Sequence, residues 1–348
     1  MQAQRSTLLD VARMAGVSKA TASRVLSGSR DRVSDRLAEK VLEAASRLDY
    51  RPNPHAQALA TAASPMAAVI VHDVGDPYFA EIARGALREA SVRERLVVIC
   101  DTFRDRDREL AYVRELRSQR MQAVVVAGSS IAGLDGDLGT ELAGFRAEGG
   151  RVVLMVGGHG FPAVVPDNHL GGRLAAEHLV GLGHERVGVI SGPGEVTSAD
   201  DRVAGFAGVL DEAGLPEPVV VAGDFSRASG EAAVETILEI DPSVTAVFSV
   251  NDLMAVGAIR RLLVRGIGVP GDISVVGFGD IPLSQDLHPA LTTVRVPMAD
   301  MGAVAITLAL EGVDGDDCRV LPTELVARES TGQVKTADTG GSPDIDPV

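Results

Sequence analysis

Up to about residue 64 the apolar positions recur at helical intervals. In "TLLDVARMAGVSKATASRVLSGS" (7–29), Thr7 and Asp10 have a capping-box spacing close to the Glu/Gln ideal. Val11, Met14 and Ala15 follow at helical spacing until Gly16 stops the helix, which predicts a first helix over 7–15. Ser18 caps a second helix running to Leu26, with Ala22, Val25 and Leu26 facing inward and Lys19, Ala20, Ser23 and Arg24 facing outward. The turn between them is about three residues long, as in a helix-turn-helix. A third helix starts at Ser34, with Asp35 and Glu39 near its positive end and apolar residues at Leu37, Val41, Leu42, Ala45 and Leu48. In "YRPNPHAQALATAAS" (50–64), Asn53 can cap and Pro54 can open a short helix over 54–60.

From Ala67 the rhythm changes. Short β-branched runs ("AAVIV", "LVVIC", "AVVVA", "VVLMV", then "VGVIS", "VVVAG", "AVFSV", "SVVGF") alternate with amphipathic stretches at 78–94, 107–120, 170–182, 200–213, 227–239 and 252–266. Repeated βα units imply an α/β fold of parallel sheets with helices on both faces. Two sets of about five strands, divided near 160–165, predict two similar lobes. Residues 331–348, polar and rich in Gly, Pro and Asp, are expected to form a disordered tail with no heptad for a coiled coil. The predicted organisation is therefore a helical domain at 1–51, a hinge helix and linker at 52–64, a two-lobed domain at 65–330 and the tail at 331–348.

A chain of 348 residues, 45% hydrophobic and 23% charged, has the composition of ordinary globular domains. Its formal charge of −15 is unevenly spread. Residues 1–64 hold ten Lys and Arg against six Asp and Glu, a surplus of +4; the remaining 23 basic and 42 acidic residues leave −19. One end suits an anionic polymer that the rest repels. The N-terminus lacks a signal-like apolar run and no run approaches membrane-spanning length, so a cytoplasmic protein without membrane contact is expected. Cys100 and Cys318 form neither a CxxC nor a Cys/His spacing, which predicts no metal site and no disulfide framework. There is no HExxH or GxSxG, and "GPGEVTS" (192–198) is not a phosphate loop, so neither catalysis nor a cofactor is expected.

The segment "LLDVARMAGVSKATASRVLSG…RVSDRLAEKVLEAASRLDYRPNPHAQALA" resembles the DNA-binding headpiece of LacI/GalR-type transcription regulators. The resemblance implies that the second helix enters the major groove of a palindromic operator, with Lys19, Ala20 and Arg24 meeting base edges. Thr7, Ser18, Thr21 and Ser23 carry hydroxyls suited to phosphate. It also implies a hinge helix, capped by Asn53, that drives Leu59 between base steps of the minor groove. Ala60 and Thr61 follow Leu59 where many relatives carry a basic residue, leaving fewer phosphates neutralised.

Residues 67 to about 330 resemble the periplasmic-binding-protein-like effector domain of that family, which clamps a small molecule, such as a sugar or related metabolite, between its lobes. Matched positions make Tyr78 and Phe79, Arg202, Phe225 and Asn251 candidate effector contacts, with one of the aromatic pair at 78–79 expected in the core and Asp252 expected to cap the following helix. Asp101 is a weaker candidate that can equally cap its loop. Relatives commonly read GFDD where this chain reads "GFGDIPLS", which puts Gly279 at the ligand position. Either Asp280 substitutes, or the ligand lacks the hydroxyl pair an Asp would hold. The resemblance implies a homodimeric, effector-controlled repressor that is not an enzyme. The alternative is a solute-binding protein whose N-terminal helices only mediate dimerisation.

Overall fold

The computed structural model describes residues 6–26, 33–50, 64–128, 134–157, 159–194, 196–313 and 315–335. The chain separates into two compact units, Met1–Pro65 and Met66–Val348.

The first unit contains α1 (Leu8–Ala15), α2 (Lys19–Leu26) and α3 (Asp35–Arg47). Both halves of the Thr7/Asp10 capping box form, and Gly16, at φ 66°, turns the chain so that the Val17 amide reaches the Ala12 carbonyl at 3.0 Å. The core is Val11, Ala12, Ala22, Val25, Ala38, Val41, Ala44 and Ala45. Five of these eight are alanines, so the helices meet nearly backbone to backbone. This shifts α3 from its expected face: it packs through Ala38, Val41, Ala44 and Ala45, leaving Leu37 and Leu42 exposed, and Met14 of α1 is exposed as well. Asn53, Leu59 and the helix expected over 54–60 lie outside the described residues.

The second unit holds two six-stranded sheets rather than two sets of about five strands. Its elements are β1 (Ser64–Val71), α4 (Pro77–Val92), β2 (Val97–Asp101), α5 (Arg106–Ser118), β3 (Met121–Val126), α6 (Asp137–Ala147), β4 (Arg151–Leu154), β5 (Ala163–Pro166), α7 (Asn168–Gly181) and β6 (Val187–Ser191). There follow α8 (Thr197–Glu212), β7 (Val219–Ala222), α9 (Arg227–Ile240), β8 (Ala246–Ser249), α10 (Asp252–Val264), β9 (Ser274–Gly279), α11 (Leu283–Asp286), β10 (Thr292–Arg295), α12 (Met298–Glu311), β11 (Cys318–Leu321) and β12 (Glu324–Val326). The sheet orders are β11-β5-β4-β3-β1-β2 and β12-β10-β9-β8-β6-β7, with β12 antiparallel to β10.

Strands buried on both faces explain the near-continuous apolar runs. Along β1, Ala67, Val69 and Val71 join one core while Ala68 and Ile70 join another across the sheet. The chain crosses between lobes three times: after β5, after β10, whose successor α12 packs on α4 and β3–β5, and after β11. The additional strands and α12 arise from these returns.

The helix pairs α4/α12, α7/α8 and α9/α10 cross on reciprocal glycines. A Cβ at Gly172 of α7 would lie 2.0 Å from the Arg202 carbonyl of α8, and one at Gly205 of α8 would lie 2.1 Å from the His169 carbonyl of α7. Backbone contact at this crossing fixes where Asn168 and Arg202 emerge.

Residues 331–335, expected to open a disordered tail, are held by contacts with the second lobe. Thr331 Oγ1 bonds His178 Nε2 at 2.9 Å, the Val334 amide donates to the Leu182 carbonyl at 3.1 Å and Lys335 pairs with Asp272 at 2.7 Å. Residues 331–335 are thus docked on the second lobe, and 336–348 lie outside the described residues.

Candidate functional site

Two features of the structure can bind something. On α2, Ala22 and Val25 are buried in the headpiece core, while Lys19, Ala20 and Arg24 are exposed and Ser23 is half-buried. The helix therefore presents Lys19, Ala20 and Arg24 outward, a methyl group between a primary ammonium and a guanidinium. Several hydroxyls assigned to phosphate are already engaged. Thr7 Oγ1 donates to Asp10 Oδ2 at 2.6 Å, and Ser18 Oγ accepts from the Thr21 amide at 3.0 Å while bonding Thr21 Oγ1 at 2.8 Å. These exposed groups first hold the helix starts and are available to phosphate only in addition.

In the second unit a cavity of about 330 Å³ opens between the lobes, at the C-terminal ends of the strands, where ligands bind in open α/β sheets. The first lobe contributes His72 and Asp76 after β1, Tyr78 and Phe79 at the start of α4, and Arg104, Arg106 and Glu109 around the start of α5. The second contributes Asn168 from the start of α7, Arg202 from α8, Phe225 after β7, Asn251 and Asp252 after β8, and Phe278 from β9.

Arg202 is the centre of the second-lobe wall. It is 6% exposed, donates from Nε to Asn168 Oδ1 at 2.9 Å and from its terminal nitrogen to the Val250 carbonyl at 2.7 Å, and lies 3.9 Å over the Phe278 ring. Burial pushes its pKa down, and Tyr78 of the opposite lobe, lining the same cavity, acts against that shift. Burial likewise pushes the Tyr78 phenol up. Phe79 packs into the hydrophobic core at 8% exposure, edge-on to Tyr78, so the pair divides between wall and core.

A second bridge crosses the cleft from Arg104. Its guanidinium pairs with Asp76 at 3.2 Å and stands 5.7 Å from the centre of the Phe225 ring. Phe103, Arg104 and Phe225 all adopt left-handed backbone (φ 52°, 60° and 68°), uncommon for residues with side chains and typical of functional loops. His72, tilted against the Phe79 ring, is pushed down to about 4 by burial, then by the charges of Arg104 and Arg106. Asp76 caps α4 by accepting from the Tyr78 amide at 3.0 Å, and burial raises its pKa.

Three expectations change here. Asp101 does not line the cavity; it accepts from the Val74 and Phe103 amides at 3.1 and 2.8 Å and so ties two loops together. Asp280 also points elsewhere. Its carboxylate is clamped by Arg295 Nε at 2.7 Å and Arg328 at 2.6 Å, in the wall of a second hollow. It therefore cannot stand in for an acid at 279. Gly279 itself has φ 138°, and a Cβ there would lie 3.4 Å from Asp252 Oδ2, so an Asp would set two carboxylates side by side.

Asn251 takes the capping role expected of Asp252, and Asp252 takes neither role. Asn251 lines the cavity but caps α10, with Oδ1 accepting from the Met254 amide at 2.9 Å and Nδ2 donating to the Phe225 carbonyl at 3.0 Å. It thereby places Phe225. Asp252, 1% exposed, turns inward to accept from Thr293 Oγ1, Ser284 Oγ and the Ile281 amide at 2.6, 2.8 and 2.9 Å, and burial raises its pKa. His72, Asp76, Arg104, Asn168 and Phe278 were not foreseen. Their common signal is position: most lie within a few residues of a strand's C-terminal end, or at the start of the helix after it.

Comparison with known proteins follows the same division. Residues 7–53 match the model of bacterial regulatory proteins of the lacI family, and residues 176–331 match a periplasmic binding protein-like domain. The chain is 34% identical to a ribose operon repressor of Halalkalibacterium halodurans over 94% of this chain and 97% of that protein. A lac repressor dimer bound to operator and the anti-inducer ONPF superposes with a TM-score of 0.81 at 27% identity, covering 94% of this chain and all of that one. A complex of the regulator CelR with cellobiose gives 0.69 at 30% identity, over 94% of this chain and 100% of that one. A helix-turn-helix joined to a two-lobed binding domain defines a ligand-responsive DNA-binding regulator. The chain belongs to the LacI family of bacterial transcription regulators.

Proposed function

We propose that this protein is a cytoplasmic repressor that binds a palindromic operator as a homodimer and changes its operator affinity when a small effector, a sugar or related metabolite, occupies the interlobe cavity. Lys19, Ala20 and Arg24 read bases, and Thr7, Ser18, Thr21 and Ser23 set register on phosphates. Asn53 and Leu59 act in the hinge. Tyr78, Arg202 and Phe225 contact the effector, and Asn251 and Phe79 shape their surroundings. The observation that carries this reading is the opposition on α2 of a buried Ala22/Val25 face to an exposed Lys19/Ala20/Arg24 face.

The cavity is read as a binding site without turnover. Its acids are bonded to neighbouring protein groups, and the operator-bound and cellobiose-bound relatives are regulators. Ligand and DNA then share a coupling free energy of about 1–3 kcal/mol and act reciprocally. The test is a thermal-shift panel of sugars, polyols and nucleobases on the full-length protein. A true effector at about 100 times its dissociation constant adds about 2.7 kcal/mol of stability. Phe225→Ala should abolish that shift and the ligand response while operator affinity stays near normal. An unchanged response in Phe225→Ala would remove the cavity from the account.

A further inference from the structure

One side chain of the cavity wall reaches from lobe to lobe. Arg104 follows β2 of the first lobe, and its guanidinium carbon stands 5.7 Å over the centre of the Phe225 ring, which follows β7 of the second. That distance lies within cation–π range. On its own side the guanidinium is held at 3.2 Å by the buried carboxylate of Asp76. The bridge thus consists of a carboxylate, a cation and a ring, and only its last step passes between lobes.

Each lobe fixes its own half. In the first, Phe103 and Arg104 are consecutive residues in left-handed backbone (φ 52° and 60°), which costs energy for residues with side chains. Hydrogen bonds hold this turn: the Phe103 amide donates to Asp101 Oδ1 at 2.8 Å, that of Arg104 to the His72 carbonyl at 2.9 Å and that of Asp105 to the Thr102 carbonyl at 3.0 Å. In the second lobe Phe225 is left-handed too (φ 68°), and its carbonyl accepts from Asn251 Nδ2 at 3.0 Å. Its ring lies so close to Gly192 that a Cβ there would be 2.5 Å from Cζ. Groups preset in this way lose little freedom when they meet. Their place in the sheets adds leverage. Strands β2 and β7 are the edge strands opposite β11 and β12, whereas the chain crosses between lobes after β5, β10 and β11. The bridge therefore joins the lobes at the edge far from the crossings, where an opening motion is largest.

We propose that Arg104 is a latch: anchored on Asp76, it closes onto Phe225 and holds the two lobes together, so that part of the closure is supplied by the chain itself. As a device that regulates effector binding, the latch rests on the reading of this cavity as the effector site. As a contact between lobes it is testable without any ligand.

The test measures the distance between lobes in the full-length protein by pulsed electron resonance. Spin labels are placed at Ala111→Cys on α5 and Ala232→Cys on α9, both exposed positions, with Cys100→Ser and Cys318→Ser removing the native thiols. Dilution into unlabelled protein restricts the reading to distances within one protomer. With no sugar added, the expected distribution contains a short, closed population. Arg104→Ala should shift it toward longer distances and lower the closed-to-open ratio about twofold to tenfold. In a Phe225→Leu background, which keeps apolar bulk but removes the ring, Arg104→Ala should change nothing further. A distribution unchanged by Arg104→Ala overturns the latch, as does a shift equally large in the Phe225→Leu background or a parent protein with no short population. The reading of the cavity fails separately, through a ligand-induced thermal shift that survives Phe225→Ala, and that result leaves the lobe distances as they are.

Discussion

Lys19 and Arg24 project from the same exposed face of α2 but five residues apart, so they meet different base pairs. Arg24→Ala is expected to lose about 1–3 kcal/mol of preference at one operator position, and Lys19→Ala a similar amount at a neighbouring one. Competition binding with single-position operator variants checks this; equal losses on operator and random duplex would show phosphate contact instead. A second residue-scale expectation concerns pH. Folded His72 titrates at about 4, below the ordinary value of 6.5, so the unfolded chain takes up the proton first as pH falls. Its contribution is full above about 6.5 and declines toward 4, amounting to about 3 kcal/mol at most. Asp76 and Asp252, raised by burial, act with the opposite sign just above the ordinary carboxylate value. They are common to the wild type and His72→Asn, so urea midpoints at about pH 7 and about pH 5 should differ less in the variant. An unchanged difference would contradict the buried, neutral His72. At this scale the sequence showed Arg202 and Phe225 by motif position. It did not show Asp101 or Asp280 turning away, because a short carboxylate goes to whichever backbone amide or guanidinium lies nearest, and those partners are distant in sequence.

Among the elements, the helix crossings determine the shape of the site. A Cβ at Gly302 of α12 would lie 1.9 Å from the Ile82 carbonyl of α4, and one at Gly85 of α4 would lie 1.9 Å from the Ala299 carbonyl. Both obstacles are backbone and cannot rotate aside. Gly302→Ala is therefore expected to destabilise the protein by about 1–3 kcal/mol, measured by urea unfolding, even though alanine favours a helix. No loss would mean that the helices can separate freely. Apolar periodicity located α4, α5 and α7–α10 because each carries a stripe facing a sheet. It passed over α12, whose residues are apolar on most sides and sit between α4 and three strands of the first sheet. It also passed over β10, β11 and β12, which are only three or four residues long, and β11 and β12 take their meaning from a lobe that the chain has left and re-entered. In α3 the stripe was visible but misplaced, because alanine, a weak hydrophobic signal in sequence, permits the closest helix packing.

For the molecule as a whole, a +4 headpiece precedes a body of −19. Sequence-independent affinity for DNA must come from the small basic end, and the acidic body limits it. Log operator affinity should fall with log salt at a slope near −0.9 for each phosphate neutralised, so affinity drops steeply as salt rises. A flat salt dependence would contradict docking through the Lys and Arg face. The three interlobe crossings, with the Tyr78–Arg202 and Arg104–Phe225 contacts, provide the element through which ligand can change lobe geometry. The measurement that tests the account most directly is selection of duplexes from a randomised pool by the full-length protein under competition from bulk DNA. The account predicts enrichment of a palindromic site, weakened or altered at defined positions in Arg24→Ala. Recovery of no preferred sequence, or of the same sequence with equal strength in that variant, would contradict the claim that α2 reads the operator.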